Sequence, residues 1–165
     1  MPDDSGSATD LIATRNDTDA ILAGIGAIAY RWTLADDRLE WAGDVAALLG
    51  LAAGVPVATG ATFAALLDEA SPRSREDCLR TGTDTGAGVP YQVEYALRPA
   101  GPAGPPVWIE DVGRWHADGG QAPRRAEGVL RIVNERHARD QRLAFLSHYD
   151  EVTGLYNRSG LLEIL

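Results

Sequence analysis

The sequence lacks the features that define several large classes of protein. Its 165 residues include a single cysteine, Cys78, so no internal disulfide can form, and no Cys-x-x-Cys or Cys/His pair has metal-site spacing. No apolar run approaches the ~18 residues of a membrane span, and the acidic N-terminus has no basic region or apolar core of a signal peptide. We therefore expect a cytoplasmic protein without a membrane segment.

Positive charge is also scarce. Fifteen arginines and no lysine stand against 24 acidic residues, giving a formal net charge of −9, and such a negative field disfavours nucleic acid as a partner.

A local basic cluster has two interpretations: a solvated face with helical pairs such as Glu135 with Arg139, or a surface that meets acidic groups of a second protomer or a following domain. The cluster consists of Arg124, Arg125, Arg131, Arg136, Arg139 and Arg142.

Alternating side chains indicate a β-sheet. Large apolar residues occupy every second position in the clearest segment, which is typical of a half-buried strand, and Asp36-Asp37 provides a hairpin turn between the first two strands. The hydrophobic content of 45% suffices for the core of one domain. The predicted strands are 28–34, 38–42, 91–97, 107–116 and 127–134.

Short helices are predicted between the second and third strands. Asp44 can cap a helix that ends at Gly50. We expect a second helix to begin at Thr62 and a third at Ser71-Pro72, where proline at the first position costs little. Because strands and helices do not alternate, the order predicts an α+β fold: a five-stranded antiparallel sheet with helices on one face.

Two further segments carry apolar residues outside this sheet. Residues 1–24 combine an acidic tail with an amphipathic helix, and residues 136–149 form a connector helix without a breaker. Because short helices are only marginally stable alone in water, we expect their apolar sides to pack against another protein surface. We expect a homodimer formed through Leu11, Ile12, Ile21, Leu22, Leu143 and Leu146.

The segment from Asp150 to Arg158 reads Asp-Glu-Val-Thr-Gly-Leu-Tyr-Asn-Arg. It resembles the Asp-x-Leu-Thr-Gly-Leu-x-Asn-Arg motif that opens GGDEF domains, which make cyclic di-GMP or, when degenerate, regulate its breakdown. Val152 replaces the usual leucine, and the chain ends at Leu165, before the Gly-Gly-Asp/Glu-Glu-Phe signature. The matching positions are Asp150, Thr153, Gly154, Leu155, Asn157 and Arg158.

Residues 25–135 resemble a PAS domain, a fold with a five-stranded antiparallel sheet and short helices on one face. Ile132-Val133-Asn134 departs from the Asp-Ile-Thr that ties the last strand to the connector in many such domains, and Pro105-Pro106 replaces a usual Asp-Gly. The remainder then divides into 1–24, the connector 136–149 and the start of a truncated GGDEF domain at 150–165. The landmarks are Trp32, Trp41, Leu-Leu-Gly at 48–50, Tyr-Gln-Val-Glu-Tyr-Ala-Leu-Arg at 91–98, and Trp108.

The two resemblances imply the regulatory PAS domain of a bacterial cyclic di-GMP turnover enzyme, either a phosphodiesterase or a diguanylate cyclase. Such a domain acts through dimerisation and partner docking, with GGDEF or EAL catalytic domains following and a regulatory protein or adaptor as a further partner. It has no catalytic residues of its own. The alternative is a small-molecule sensor, with a pocket between the helices that carry Leu49, Phe63 and Leu79 and the inner sheet face.

No cofactor or metal is expected. Cys78 lies in Arg-Glu-Asp-Cys-Leu-Arg, unlike the Gly-x-Asn-Cys-Arg-Phe-Leu-Gln context of flavin-binding PAS domains, so a buried structural cysteine is favoured. The three histidines, His116, His137 and His148, do not fall on the long helix that supplies an axial haem ligand, and they are too scattered for a metal site. Surface positions are expected for them.

Overall fold

The computed structural model describes residues 17–120, 122–148, 153 and 155. The chain divides into two compact units, Met1–Ile132 and Val133–Leu165. The helices are α1 (17–24), α2 (Val45–Leu49), α3 (Gly60–Ala64), α4 (Arg75–Cys78) and α5 (Asn134–His148). The strands are β1 (Ala27–Thr33), β2 (Arg38–Trp41), β3 (Val89–Leu97), β4 (Val107–His116) and β5 (Arg125–Ile132).

The first unit contains one antiparallel sheet with the strand order β2-β1-β5-β4-β3. The predicted α+β class with five antiparallel strands is confirmed. β5 begins and ends two residues earlier than predicted, and β3 begins at Val89 and so includes Pro90. A proline is tolerated there because β3 is an edge strand, where the missing N–H need not leave a gap in the ladder.

The strands β1 and β5 are neighbours, and they carry the two ends of the sheet domain. Ala27 at the start of β1 pairs with Arg131 near the end of β5. The Ile132 N–H donates to the Gly26 carbonyl at 3.0 Å, which extends the ladder beyond the strands. The segment that enters the sheet and the segment that leaves it are therefore hydrogen-bonded to each other.

The helix α2 follows the prediction. The Asp44 carboxylate accepts a hydrogen bond from the Ala47 N–H at 2.9 Å, and Gly50 ends the helix in the left-handed conformation, with φ 66°. Side-chain capping at one end and a glycine at the other stabilise a helix that is too short to persist alone.

The predicted beginnings of the next two helices are wrong. α3 is capped by Thr59, whose hydroxyl accepts from the Thr62 N–H at 3.1 Å, so Thr62 lies inside the first turn. α4 begins after Ser74, whose N–H donates to the Asp77 carboxylate at 2.8 Å. Ser71 instead accepts from the Ala96 N–H at 2.9 Å and so fastens the loop to β3.

Asp37 fixes the position of α3 against the sheet. It occupies the β1–β2 turn with a φ of 56°, and its carboxylate accepts from the N–H groups of Gly60 and Ala61, both at 3.0 Å. The indole N–H of Trp32 on β1 donates to the same carboxylate at 2.8 Å. The N-terminus of α3 is thus satisfied by the hairpin rather than by solvent.

The core lies on one face of the sheet, where β1 and β3 bury every second residue and β4 and β5 contribute Ile109, Asp111, Trp115, Ala126 and Leu130. The predicted alternation is confirmed in β1 and β3. The largest fully buried side chains are Trp115, Tyr95, Leu97, Ile109, Leu130 and Asp111.

The second unit contains α5, which begins two residues before the predicted connector and is described as far as His148. Leu143 is 60% exposed and Phe145 45% exposed on this helix. Among the described residues, no helix is long and apolar enough to cross a membrane.

Replacing Gly60 by alanine tests the packing of α3. An added Cβ would overlap the Trp32 ring and the Asp37 carboxylate, and we expect the free energy of unfolding in urea to fall by about 1–3 kcal/mol. Gly24→Ala is the control, because a Cβ on Gly24 meets no atom within 4 Å. Equal stability of the two variants would contradict the close approach of α3 to β1.

Candidate functional site

A charged pair lies in the interior of the first unit. Arg75 comes from α4 and Asp111 from β4, and their exposed fractions are 3% and 0%. The Arg75 Nε donates to Asp111 Oδ2 at 2.8 Å. Charges buried this deeply are tolerated only when they are paired and hydrogen-bonded.

Three tyrosines complete the surroundings of the carboxylate. The Tyr95 hydroxyl donates to Oδ2 of Asp111 and the Tyr30 hydroxyl to Oδ1, each at 2.8 Å. The Tyr91 hydroxyl is hydrogen-bonded to that of Tyr30. Burial raises the pKa of all three phenols above the ordinary value, so they stay protonated as donors.

Aromatic rings surround the guanidinium group. The Arg75 Cζ lies 3.9 Å from the centroid of the Tyr30 ring and 4.6 Å from that of Phe63, and the rings of Trp32 and Trp41 are each 6.0 Å away. Burial alone would disfavour the charge, but the Asp111 carboxylate raises the pKa of Arg75 well above its ordinary value. Arg75 is therefore a permanent cation held over aromatic faces.

The guanidinium also borders a narrow cleft between α3 and α4. The inner space is about 10 Å³, room for roughly one water molecule. Of the three predicted pocket residues, Phe63 lines this cleft, whereas Leu49 and Leu79 pack in the core. The lining residues include Trp32, Phe63, Ala64, Leu67, Arg75 and Tyr95.

The other candidate ligands from the sequence are distributed through the fold. Cys78 is 4% exposed, and burial raises the pKa of its thiol, as fits a structural cysteine. His116 is not a surface residue as expected: its side chain is 14% exposed and lies 3.7 Å from a Glu127 carboxylate oxygen. His137 contacts Gln141 on α5. In the described part of the chain, no group of three or more potential ligands could hold a metal ion.

The basic cluster is partly neutralised within the sheet. Arg125 forms ion pairs with Asp118 at 3.2 Å and Glu127 at 3.6 Å, and Arg131 pairs with Glu110 at 3.0 Å. These contacts favour the solvated-face interpretation for the strand members.

The predicted dimerisation residues are only partly described. Ile21 and Leu143 are 68% and 60% exposed, Leu22 and Leu146 are half-buried, and Leu11 and Ile12 lie outside the described residues. The predicted dimerisation residues did not include three more exposed apolar side chains, although each follows an amphipathic or alternating pattern. They are Ile25 on the α1 side, Val112 on β4 and Phe145 on α5.

The GGDEF-like motif lies mostly outside the described residues. Thr153 and Leu155 are described: the Leu155 N–H donates to the Thr153 hydroxyl at 3.5 Å, and Leu155 is 69% exposed. The positions outside the description are Asp150, Gly154, Asn157 and Arg158.

The buried ion pair itself was missed by the sequence analysis. One signal was present: Asp111 occupies an inward position of β4, two residues after Ile109, where a carboxylate requires a buried partner. No comparable signal identified Arg75, because it belongs to a four-residue helix whose beginning was misplaced.

Comparisons with known proteins identify the fold. No protein-family model matches the sequence, and no curated protein matches it significantly. The N-terminal domain of a diguanylate cyclase with a PAS/PAC sensor from Marinobacter aquaeolei matches with a TM-score of 0.51 and 21% identity, covering 67% of this chain and 98% of that one.

A second solved structure has the same arrangement. A sensory box histidine kinase/response regulator from Burkholderia thailandensis E264 gives a TM-score of 0.53 at 19% identity, covering 74% of this chain and 88% of that one. The α+β sheet and helices of this chain therefore have the PAS fold, as the sequence resemblance implied.

Removing one partner of the ion pair should strongly destabilise the domain. Arg75→Met leaves the Asp111 carboxylate buried without its counter-charge, and we expect a loss of about 3–5 kcal/mol in the free energy of unfolding. Adding Asp111→Asn should recover part of this loss, whereas Arg73→Met, at an exposed arginine nearby, should have an effect of about 0.5 kcal/mol or less. Additive losses in the double variant would contradict the pairing.

The three interior tyrosines should ionise only as the protein unfolds. Their pKa values are raised in the folded state, so the stability they contribute is complete below the ordinary tyrosine pKa of about 10 and is lost as pH rises above it. Tyrosinate absorbance should therefore rise together with the loss of circular dichroism. In urea, all tyrosines should titrate near the ordinary value. Ionisation of the interior tyrosines near pH ~10 with the fold intact would contradict the network.

Proposed function

We propose that this chain is the regulatory PAS domain of a bacterial cyclic di-GMP turnover enzyme, a phosphodiesterase or a diguanylate cyclase. The observation that carries the proposal is the order of parts: a PAS fold, then α5, then a segment from Asp150 to Arg158 that resembles the start of a GGDEF domain. A diguanylate cyclase whose N-terminal domain has the same fold supports it.

The domain acts through dimerisation in this proposal. α1 and α5 flank the sheet domain along the chain, and both carry exposed apolar side chains, Ile21 on α1 and Leu143 and Phe145 on α5. A second copy of the chain that covered them would remove apolar surface from water. Association would thereby fix the helix that leads to the catalytic domain.

The connection of both helices to adjacent strands provides a route for the signal. α1 leads into β1, α5 follows β5, and the Ile132 N–H bond to Gly26 joins the ends of these strands. A shift of β1 against β5 would act on both helices through the chain. Ile132 stands where many PAS domains have the aspartate of Asp-Ile-Thr. Because that carboxylate is missing, the backbone connection is the proposed coupling element.

A loop on the sheet domain is the proposed docking surface for an adaptor. The segment 99–106 is rich in glycine and proline. Its conformation is fixed by Arg98, which donates to the carbonyls of Pro102 at 3.1 Å and Gly104 at 2.7 Å and pairs with Asp68 at 2.5 Å. A loop already held in one conformation loses little entropy when it binds a partner.

The double variant Ile21→Asp/Leu143→Asp tests the proposal in the complete polypeptide that contains this chain. Placing charges on both helices should convert the dimer to a monomer in light scattering. It should also change the rate of cyclic di-GMP formation or hydrolysis by at least about fivefold, the lower range of allosteric coupling. Chromatographic quantification of cyclic di-GMP measures the rate.

The matched control is Ala53→Asp/Thr85→Asp, which adds the same charge at two exposed loop positions and should leave both readouts unchanged. A wild-type polypeptide that remains monomeric at high micromolar concentration would contradict the dimer. A complete polypeptide that neither makes nor hydrolyses cyclic di-GMP would contradict the enzymatic context.

A further inference from the structure

Arg75 has hydrogen-bonding capacity that the described chain does not use. Its Nε is bonded to Asp111, but Nη1 and Nη2 have no hydrogen-bond partner within the described residues. The side chain is only 4% exposed, so bulk water does not supply the missing acceptors. Buried donors in native proteins are nearly always satisfied, by protein, by ordered water or by a ligand.

Arg75 lines the cleft between α3 and α4. At its inner end the cleft has room for about 10 Å³, roughly one water molecule, and its mouth is partly open to solvent. Its walls are almost entirely apolar, with Trp32, Phe63, Ala64 and Leu67 contributing side chains. The inner space is the size of one acceptor oxygen atom, and the apolar walls would suit an apolar chain if α3 and α4 moved apart.

The charges around the cleft define the ligand further. Both Asp111 oxygens are occupied, by Arg75 and by the hydroxyls of Tyr30 and Tyr95. A cation would be repelled by the guanidinium, whereas an anionic oxygen would form charge-assisted hydrogen bonds with it. The exposed Glu76 also lines the cleft and opposes a second negative group on the ligand.

We propose that this cleft binds a small monocarboxylate. A carboxylate oxygen accepts hydrogen bonds from Nη1 and Nη2 of Arg75, and the apolar tail lies between α3 and α4. A modest separation of these helices, five and four residues long, admits the tail. The site makes the domain a sensor of a short aliphatic or aromatic acid, whether or not a cyclic di-GMP enzyme follows it.

Titration of the chain with butyrate, followed by calorimetry and tryptophan fluorescence, tests the assignment. For so small a ligand we expect a dissociation constant on the order of 1 mM. Three related compounds, compared at constant ionic strength, should bind at least tenfold more weakly. Butanol lacks the negative charge, butylamine carries a positive one, and succinate has a second carboxylate. Equal binding of butyrate and butanol would overturn the proposal.

A variant that fills the cleft avoids the instability expected when Arg75 is replaced. Ala64→Leu places a larger side chain in the cleft and should weaken butyrate binding at least tenfold, while lowering the melting temperature less than Arg75→Met does. Ala61→Leu, on the exposed side of the same helix, should leave binding unchanged. Unaltered affinity in Ala64→Leu would place any bound butyrate elsewhere and refute the site.

A crystal structure at saturating butyrate gives an independent readout. We expect a carboxylate oxygen within hydrogen-bonding distance of Nη1 or Nη2 of Arg75. A water molecule alone at these nitrogens would overturn the proposal and assign the space to a structural water.

Discussion

The Arg75–Asp111 pair requires four separate elements of the fold to be in place at once. Arg75 comes from α4 and Asp111 from β4, while the hydroxyls that complete the carboxylate come from β1 and from β3. A buried charge without its partners is strongly unfavourable, whereas the satisfied network is tolerated in a low-dielectric interior. A fold in which only some of these elements are in place leaves a buried charge unpaired and is therefore unfavourable. The Arg75–Asp111 network thus selects one arrangement of sheet and helices, even if it adds little net stability.

The sheet could be predicted because the alternation of apolar and polar residues in the long strands shows which face is buried. In β3 the inward side chains of Tyr91, Val93 and Tyr95 alternate with polar neighbours, and a period of two has no competing helical interpretation. α3 and α4 are too short to show a comparable helical pattern of apolar residues. Thr59 and Ser74 cap them through local contacts with Thr62 and Asp77, which the sequence analysis did not use. The contact of Asp37 with the start of α3 joins residues 23 apart and forms only in the folded chain.

The candidate site was less predictable than the fold for the same reason. Asp111 at an inward position indicates that a partner must exist, but nothing local points to an arginine 36 residues earlier. Exposure of Ile21 and Leu143 followed from helical periodicity, which is local, and the dimer built on them stays a prediction. The GGDEF-like segment is identified by its residue order alone. It therefore indicates which kind of domain follows the PAS fold and gives no information about the structure of a site.

The hydrogen bond between Ile132 and Gly26 brings the beginning and the end of the sheet domain side by side. A folded body whose two ends meet can be spliced into a surface loop of an unrelated host without pulling that loop apart. The sheet domain could therefore be inserted into another protein as one unit. In such a fusion, breaking or forming the hydrogen bond between the Ile132 N–H and the Gly26 carbonyl would change the distance between the two ends of the host loop.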